Sequence, residues 1–344
     1  IVKDLMGDFI LLFKELLSKS FFPVLQPAIR MGSAFEGWSP HEKDIIYCLL
    51  VPMKPPHWHA FHLELGTVVE MPAKDSCIRV EQECTCMREH LVGHTLCFLH
   101  HLEEELRRNQ NHSLLGTLCT GSYLDAQKTA HWFHHLVKAA WVVLPQLTNC
   151  HLTMLPSSCS YKFQVTKGNK KSLIIEMMFR VQQGDLDIVV SSHTTEAIFT
   201  PNMTWPESYT TAEVKFFRHM ARQAPHDSFH LKCLQLCTHI LVGIGFSTYT
   251  LKTVVMHLLN TLHSLSGWNR SHFLPWLQDI MRYLRGGLEK KCLNHFFSNE
   301  NVPEDINLLP AFQTTETVSL FYQLAQDPDT HAKVLCEFNE LQDL

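Results

Sequence analysis

Apolar positions recur at two different periods along this chain, and the change of period divides it. Over residues 1 to 19, Leu5, Phe9, Leu12, Phe13 and Leu16 recur at helical spacing and predict an amphipathic helix. Pro23 and Pro27 punctuate the approach to Gly32-Ser33. Glu42 to Val51 reads as a strand, and Pro52 to Pro56 is expected to end it, because proline has no amide to donate. Leu63 to Met71 suggests a further strand, and Cys77 to Cys86 a disulfide-bearing excursion. His94 to Arg108 predicts a helix: Leu99, Leu102 and Leu106 form one face, and Glu103, Glu104, Glu105, Arg107 and Arg108 form the solvated side. Asp125 to Val143 predicts another. Ser160 to Val165, a turn at Lys167-Gly168-Asn169, and Ser172 to Val181 read as a hairpin, since Gly168 and Asn169 tolerate positive φ. Asp185-Leu186-Asp187 opens a strand over Ile188 to Val190.

Beyond about residue 205 the period becomes helical. Thr211 to Ala221, Phe229 to Val242, Leu251 to Leu262 and Phe273 to Arg285 all fit, and Asn269 or Ser271 is placed to cap the last of these. Pro303 marks a break, with helices expected over Ala311 to Ala325 and His331 to Leu344. The pattern therefore gives a mixed α/β lobe followed by a helical lobe.

Composition changes this picture modestly. The chain has 344 residues, 45% hydrophobic content and a net charge of -5. That supports a substantial core but does not advertise nucleic-acid binding. Lys167, Lys170 and Lys171 read as a solvated hairpin tip. The best apolar runs, Phe9 to Phe13 and Ile240 to Phe246, are too short to span a bilayer. The chain starts at Ile1 and reads as a fragment, so a missing signal peptide or anchor carries little weight. Twelve cysteines and the sequons at Asn111, Asn202 and Asn269 favour an oxidising, secreted or cell-surface environment with glycosylation and some disulfides.

Candidate chemistry concentrates in one stretch. Met31-Gly32-Ser33 is followed by Glu42-Lys43-Asp44 and the run from Ile45 to Leu50. A Gly-Ser turn before two carboxylates spaced i,i+2 at the head of a strand can hold divalent cations against a polyphosphate, because alternate strand residues share a face. Glu176, in the apolar run Ile174 to Phe179, needs a partner, a metal or exposure. Cys77, Cys84 and Cys86 are too tightly spaced for the usual structural zinc and favour disulfides. His131, His134 and His135 have no glutamate between them and read as helix-surface polarity. With 23 histidines in the chain, pH-sensitive binding is a further expectation.

The Gly32-Ser33 and Glu42-Lys43-Asp44 elements, with the later strand and helical lobe, resemble the male-abnormal superfamily that includes cyclic GMP-AMP synthase. Within it the chain is most similar to the inositol trisphosphate receptor-interacting protein-like branch. That likeness is carried by Phe179-Arg180-Val181-Gln182-Gln183-Gly184-Asp185-Leu186-Asp187-Ile188, by Gly267-Trp268-Asn269, and by Asn301-Val302-Pro303-Glu304-Asp305-Ile306-Asn307-Leu308. It implies an α+β fold: a nucleotidyltransferase-like mixed-sheet lobe over 1–204, with a branch-specific insertion near 57–110, packed against a helical lobe over 205–344. It implies that Gly32 and Ser33 match the phosphate-seating element. Glu42, Asp44 and Glu176 match the metal-holding acids, with Asp187 an alternative third.

Three features weaken turnover: Lys43 between the acids, the longer arm of Glu176, and poor nucleotide supply at an extracellular site. These acids are therefore read as vestigial. No cofactor is expected, with Mg or Mn only if the site functions. The compact cysteine pair of the synthase's zinc thumb is absent, because His226, His230, Cys233 and Cys237 make only a partial set. That argues against double-stranded DNA sensing, and no nucleic-acid partner is expected.

The leading expectation is a non-catalytic extracellular domain of a single-pass membrane protein at the cell membrane. It would act as a cell-surface ligand or receptor, with Trp38, Trp58, Trp205 and Trp268 as possible anchors. One alternative is a cytosolic modulator that binds the inositol trisphosphate receptor. The other is a metal-dependent nucleotidyltransferase.

Overall fold

A computed structural model describes residues 2–17, 20, 22–39, 45–56, 59–65, 75–83, 114–144, 147, 149–157, 160–168, 172–181, 189–191, 203–223, 230–244, 246–261, 273–298, 302–307 and 319–342. The chain divides into two compact units, Ile1–Gly32 with Ile46–Ser208, and Ser33–Ile45 with Tyr209–Leu344.

The first unit is built on a mixed sheet. Its strands are β1 (Val24–Leu25), β2 (Ile29–Met31), β3 (Ile46–Lys54), β4 (His59–Leu65), β5 (Asp75–Gln82), β6 (Cys119–Thr120), β7 (Tyr123–Leu124), β8 (His151–Leu155), β9 (Tyr161–Thr166), β10 (Leu173–Val181), β11 (Val189–Ser191) and β12 (Thr204–Ser208). The main path runs β1-β3-β10-β11-β12-β5-β7-β6, with β2 on β3, β4 on β5, and β8 on β9 beside β10. β3 and β10 are parallel and buried through Leu49, Leu50, Val51, Met177, Met178 and Phe179. Such double-sided burial explains why both read as continuous apolar runs.

Among the described residues, four helices begin in this part of the chain: α1 (Val2–Leu17), α2 (Ser33–Glu36), α3 (Leu114–Leu118) and α4 (Ala126–Val143). α1 and α4 interlock through Phe9 on Trp141 and Phe13 edge-on to Phe133. Asp125 caps α4 by accepting from the Lys128 amide.

The second unit contains α2 and α5 (Thr210–Gln223), α6 (His230–Leu241), α7 (Thr248–Thr261), α8 (Phe273–Glu289), α9 (Tyr322–Gln326) and α10 (Pro328–Gln342). α7 is buried at every position from Thr250 to Leu259 and forms its centre. The α+β class, a mixed sheet followed by helices, is as the periods indicate.

Several expectations require correction. β3 continues through Pro52 to Lys54 instead of ending there. Pro52 lacks an amide but its carbonyl accepts from Gln26, so the ladder survives. Of the stretch read as an excursion, Cys77 to Gln82 belongs to the strand β5, which pairs with β4 from Ser76 to Gln82, while Cys84 and Cys86 lie outside the described residues. The helix expected over His94 to Arg108 lies outside the described residues.

Among the described residues no helix is long and apolar enough to cross a membrane. The longest of them, α4 at 18 residues, carries Lys128, His131, His134, His135 and Lys138 and buries a single stripe. Spanning requires about 20 consecutive largely apolar residues. The single-pass transmembrane reading is therefore corrected, together with the cell-membrane, extracellular location and the cell-surface ligand or receptor role built on it.

The disulfide expectation is not met where it can be read. Cys48, Cys119, Cys233, Cys237, Cys292 and Cys336 are thiols. The sequons at Asn111, Asn202 and Asn269 lie outside the described residues.

Candidate functional site

The first unit assembles part of the expected site on one face of its sheet. β2 runs antiparallel to β3 with Met31 opposite Cys48, so the chain leaves β2 over Cys48. Gly32 takes φ +78°, and a Cβ there would stand 3.7 Å from the Cys48 Cβ. The space is ordinary; the left-handed backbone is what calls for glycine.

Cys48 is also level with Glu176 on β10, and Glu176 with Lys162 on β9. Residues directly opposite in a ladder share a face. Glu176 is engaged there. The Ser160 hydroxyl donates to its Oε1 at 2.6 Å, and the Lys162 ammonium stands 4.0 Å from Oε2. Ser160 is itself held by the Ser157 hydroxyl. The Cys48 thiol is pushed up to about 12, by burial first and then by the Glu176 charge, against the pull of Lys162. It stays protonated at neutral pH and is no nucleophile.

Glu42, Asp44 and Asp187 lie outside the described residues. Of the expected acids, the structure places Glu176 alone. Among the described residues that carboxylate meets a hydroxyl and an ammonium. Among the described residues no group of three or more His, Cys, Asp or Glu is placed to hold a metal.

Ser33 belongs to the second unit and starts the short helix α2. Its carbonyl accepts from the amides of Gly37 and Trp38, at 2.9 and 3.1 Å. Glu36, at the end of α2, is the key to what holds this segment. One of its oxygens accepts from the Lys252 ammonium at 3.0 Å, and the other from the Trp38 indole at 2.7 Å. Lys252, on α7, also donates to Glu213 of α5 at 2.6 Å. Its ammonium lies 5.3 Å from the centre of the Phe217 ring. Gln235 of α6 adds a hydrogen bond to the Ser39 carbonyl at 3.0 Å.

The segment after Gly32 is thus fastened to α5, α6 and α7. Burial opposes the charge on Lys252, but Glu213 and Glu36 outweigh it and its pKa is raised. Sequence reasoning missed this trio, whose members are far apart in the chain. The available signal was Lys252 itself, a lone charge in the otherwise uncharged run Thr248 to Thr261.

A second buried polar cluster lies in the same unit. The Tyr249 hydroxyl contacts His295 Nε2, and the Tyr209 ring centre is 4.1 Å from that of His295. Burial, then the neighbouring His257, pushes His295 down to about 3. His257 is lowered by burial, against its contact with the Asn294 carbonyl. Burial raises Tyr249 well above the usual phenol range. At neutral pH all three are uncharged and serve packing.

His230, Cys233 and Cys237 share the buried face of α6. Burial lowers His230 to about 4, raises Cys233 to about 11, and raises Cys237 to about 12 with help from Cys233. These are core groups, while His226 lies outside the described residues. Trp38 and Trp205 are 3% and 0% exposed, so neither is a surface anchor. Trp58 and Trp268 lie outside the described residues.

Comparison with known proteins adds a second line of observation. Residues 231–326, from α6 into α9, match the Mab-21 protein HhH/H2TH-like domain. The chain is 32% identical to mouse inositol 1,4,5-trisphosphate receptor-interacting protein-like 1, over 99% of this chain and 64% of the relative. It is 28% identical to the pufferfish Takifugu rubripes inositol 1,4,5-trisphosphate receptor-interacting protein, over 91% of this chain and 62% of that one. It is 25% identical to the human protein of that name, over 99% of this chain and 66% of that one. The chain therefore spans a little under two thirds of the length of the first of these relatives.

Proposed function

We propose a function from one premise, that the chain belongs to the inositol 1,4,5-trisphosphate receptor-interacting protein-like family, with a Mab-21-type helical domain. It is a nucleotidyltransferase-shaped binding module. Its work is to associate with the cytosol-facing part of the inositol trisphosphate receptor and so to modulate that receptor. The observation that carries this reading is the likeness along 99% of the chain to proteins named for interaction with that receptor. We place the lobe boundary near residues 204 to 209, with the nucleotidyltransferase-like part before it.

No turnover is assigned to the module. A carboxylate that accepts from Ser160 and faces Lys162 is already engaged, and an ammonium beside it repels an incoming cation. Fold alone does not supply chemistry.

Receptor fragments carrying the cytosol-facing domains, mixed with purified chain, test the reading. Saturable one-to-one capture is expected. Absence of capture at concentrations far above those in cells removes it.

A second reading, a residual nucleotide and cation site at Gly32, Ser33, Glu42, Asp44 and Glu176, is favoured by one observation: the left-handed Gly32 stands beside the strand level of Glu176. Titration with ATP and GTP, with and without Mg²⁺ or Mn²⁺, separates the two. Metal-dependent binding lost in Glu42→Ala/Asp44→Ala would support this second site.

A further inference from the structure

Two of the histidines that the sequence assigns to helix-surface polarity converge on one point. His131 and His135 are one turn apart on α4, and their Nε2 atoms stand 3.1 Å from each other. Both are exposed. We propose that they form a bidentate site for a borderline divalent transition-metal ion, Cu²⁺ ahead of Ni²⁺ and Zn²⁺.

Geometry carries the proposal. Imidazole nitrogens bind such ions at about 2.0–2.1 Å. Two such bonds, at angles between a right angle and the tetrahedral value, hold the nitrogens about 2.9–3.4 Å apart. The observed 3.1 Å lies inside that span. The same distance accommodates a hydrogen bond between two neutral rings, and a metal ion takes the place of the shared proton.

The backbone beneath the pair is fixed. Asp125 caps the helix. Phe133, on its buried stripe, packs edge-on against Phe13 at 5.2 Å and Phe179 at 5.1 Å. Little ordering cost therefore accompanies chelation. His134 does not join the pair. It is half-buried with its ring set against Tyr161 at 5.7 Å, and it lies 6.2 Å from the His131 ring.

Two protein nitrogens leave coordination positions open to water or to a donor from another molecule. Imidazole donors suit copper, nickel and zinc over magnesium or calcium, and copper binds tightest in the divalent series.

The test uses the metal-free chain and Cu²⁺ alone at a fixed, mildly alkaline pH. Electron paramagnetic resonance at substoichiometric copper reads the nitrogens on the ion, and calorimetry reads the affinity. Wild type is compared with His131→Ala, His135→Ala and, as a control on the same turn, His134→Ala. Loss of a mere outer-shell partner costs about 10–100-fold in affinity, so loss of a ligand should cost about tenfold or more. Expected is a two-nitrogen signal in wild type and in His134→Ala that falls to one nitrogen in each of the other variants. An unchanged spectrum and affinity for the tightest site in both His131→Ala and His135→Ala would overturn the proposal and leave the contact as a hydrogen bond. Both residues are exposed, so the variants keep the fold, which far-ultraviolet circular dichroism verifies.

Discussion

Replacing Lys252 with methionine removes one positive charge from between two carboxylates while keeping most of the side-chain volume. The ammonium lies 2.6 Å from Glu213 and 3.0 Å from Glu36, and the three side chains are 7%, 8% and 16% exposed. With Lys252 present the trio carries a single negative charge. Without it, two carboxylates share a buried site with no counter-charge. Removing one partner of a buried pair costs about 3–5 kcal/mol, chiefly through the charge left behind. Glu36 keeps the Trp38 indole as a donor, but Glu213 loses its closest partner.

The control is Glu213→Gln. It leaves Lys252 paired with Glu36 and keeps an acceptor in place, at the cost of about 1–2 kcal/mol for a neutral hydrogen bond replacing a charged one. Thermal unfolding of the full chain, followed by calorimetry, resolves the transition that Lys252→Met shifts, that of the helical unit. At about 2–4 °C per kcal/mol for a unit of this size, Lys252→Met should lower Tm by roughly 6–20 °C.

The pH dependence has a definite sign. The Lys252 pKa is raised, so its contribution is complete below the ordinary lysine value of 10.5 and is lost as pH rises through the higher folded value. Lys252→Met should lack that alkaline loss. A Lys252→Met variant within about 1 kcal/mol of wild type, or a Glu213→Gln variant at least as damaging, would refute the reasoning.

Other outcomes rest on the same geometry. His295 and His230 are held neutral by burial, at about 3 and about 4 against an ordinary 6.5. The unfolded chain therefore takes up protons first, and stability should fall as pH drops from about 6.5 towards those values; a melting-temperature profile that is flat there would contradict this. Gly32→Ala should cost about 1–2 kcal/mol through its left-handed backbone, measured by urea unfolding, because space beside Cys48 is available. Iodoacetamide should modify exposed Cys292 well before buried Cys233 and Cys237 in the native chain, with peptide mass spectrometry as the readout.

How much the sequence reveals depends on the range of the interaction involved. α4 and the β9–β10 hairpin are legible because their signals are local: a helical apolar stripe, and two strands around Lys167-Gly168. β1, β2 and β12 are not. They have few residues and gain their pairing from partners far along the chain, as Leu25 does from Met53. β5 is hidden because Cys77 points to cysteine chemistry, while the alternation of Ser76, Ile78 and Val80 on the buried face carries the strand.

Glu176 stands out in the sequence as a carboxylate in need of a partner, yet which partner it meets is set by the register with β9, and that is tertiary information. The Lys252 trio shows the same limit. A lone lysine in an uncharged helix says that a counter-charge exists, but not that it comes from Glu36 and Glu213. The membrane reading rests on cysteines, sequons, a damaged catalytic pattern and the family resemblance, all of which speak of compartment only indirectly. Among the described residues no helix is long and apolar enough to cross a bilayer, which gives it no support.

The most direct measurement is equilibrium binding of the purified chain to purified inositol trisphosphate receptor, by light scattering or surface plasmon resonance, with ATP and Mg²⁺ present and absent. A saturable complex whose affinity is the same with and without nucleotide is what a binding module without turnover predicts. No complex at any concentration, alongside nucleotide consumption that depends on Glu42 and Asp44, would contradict it.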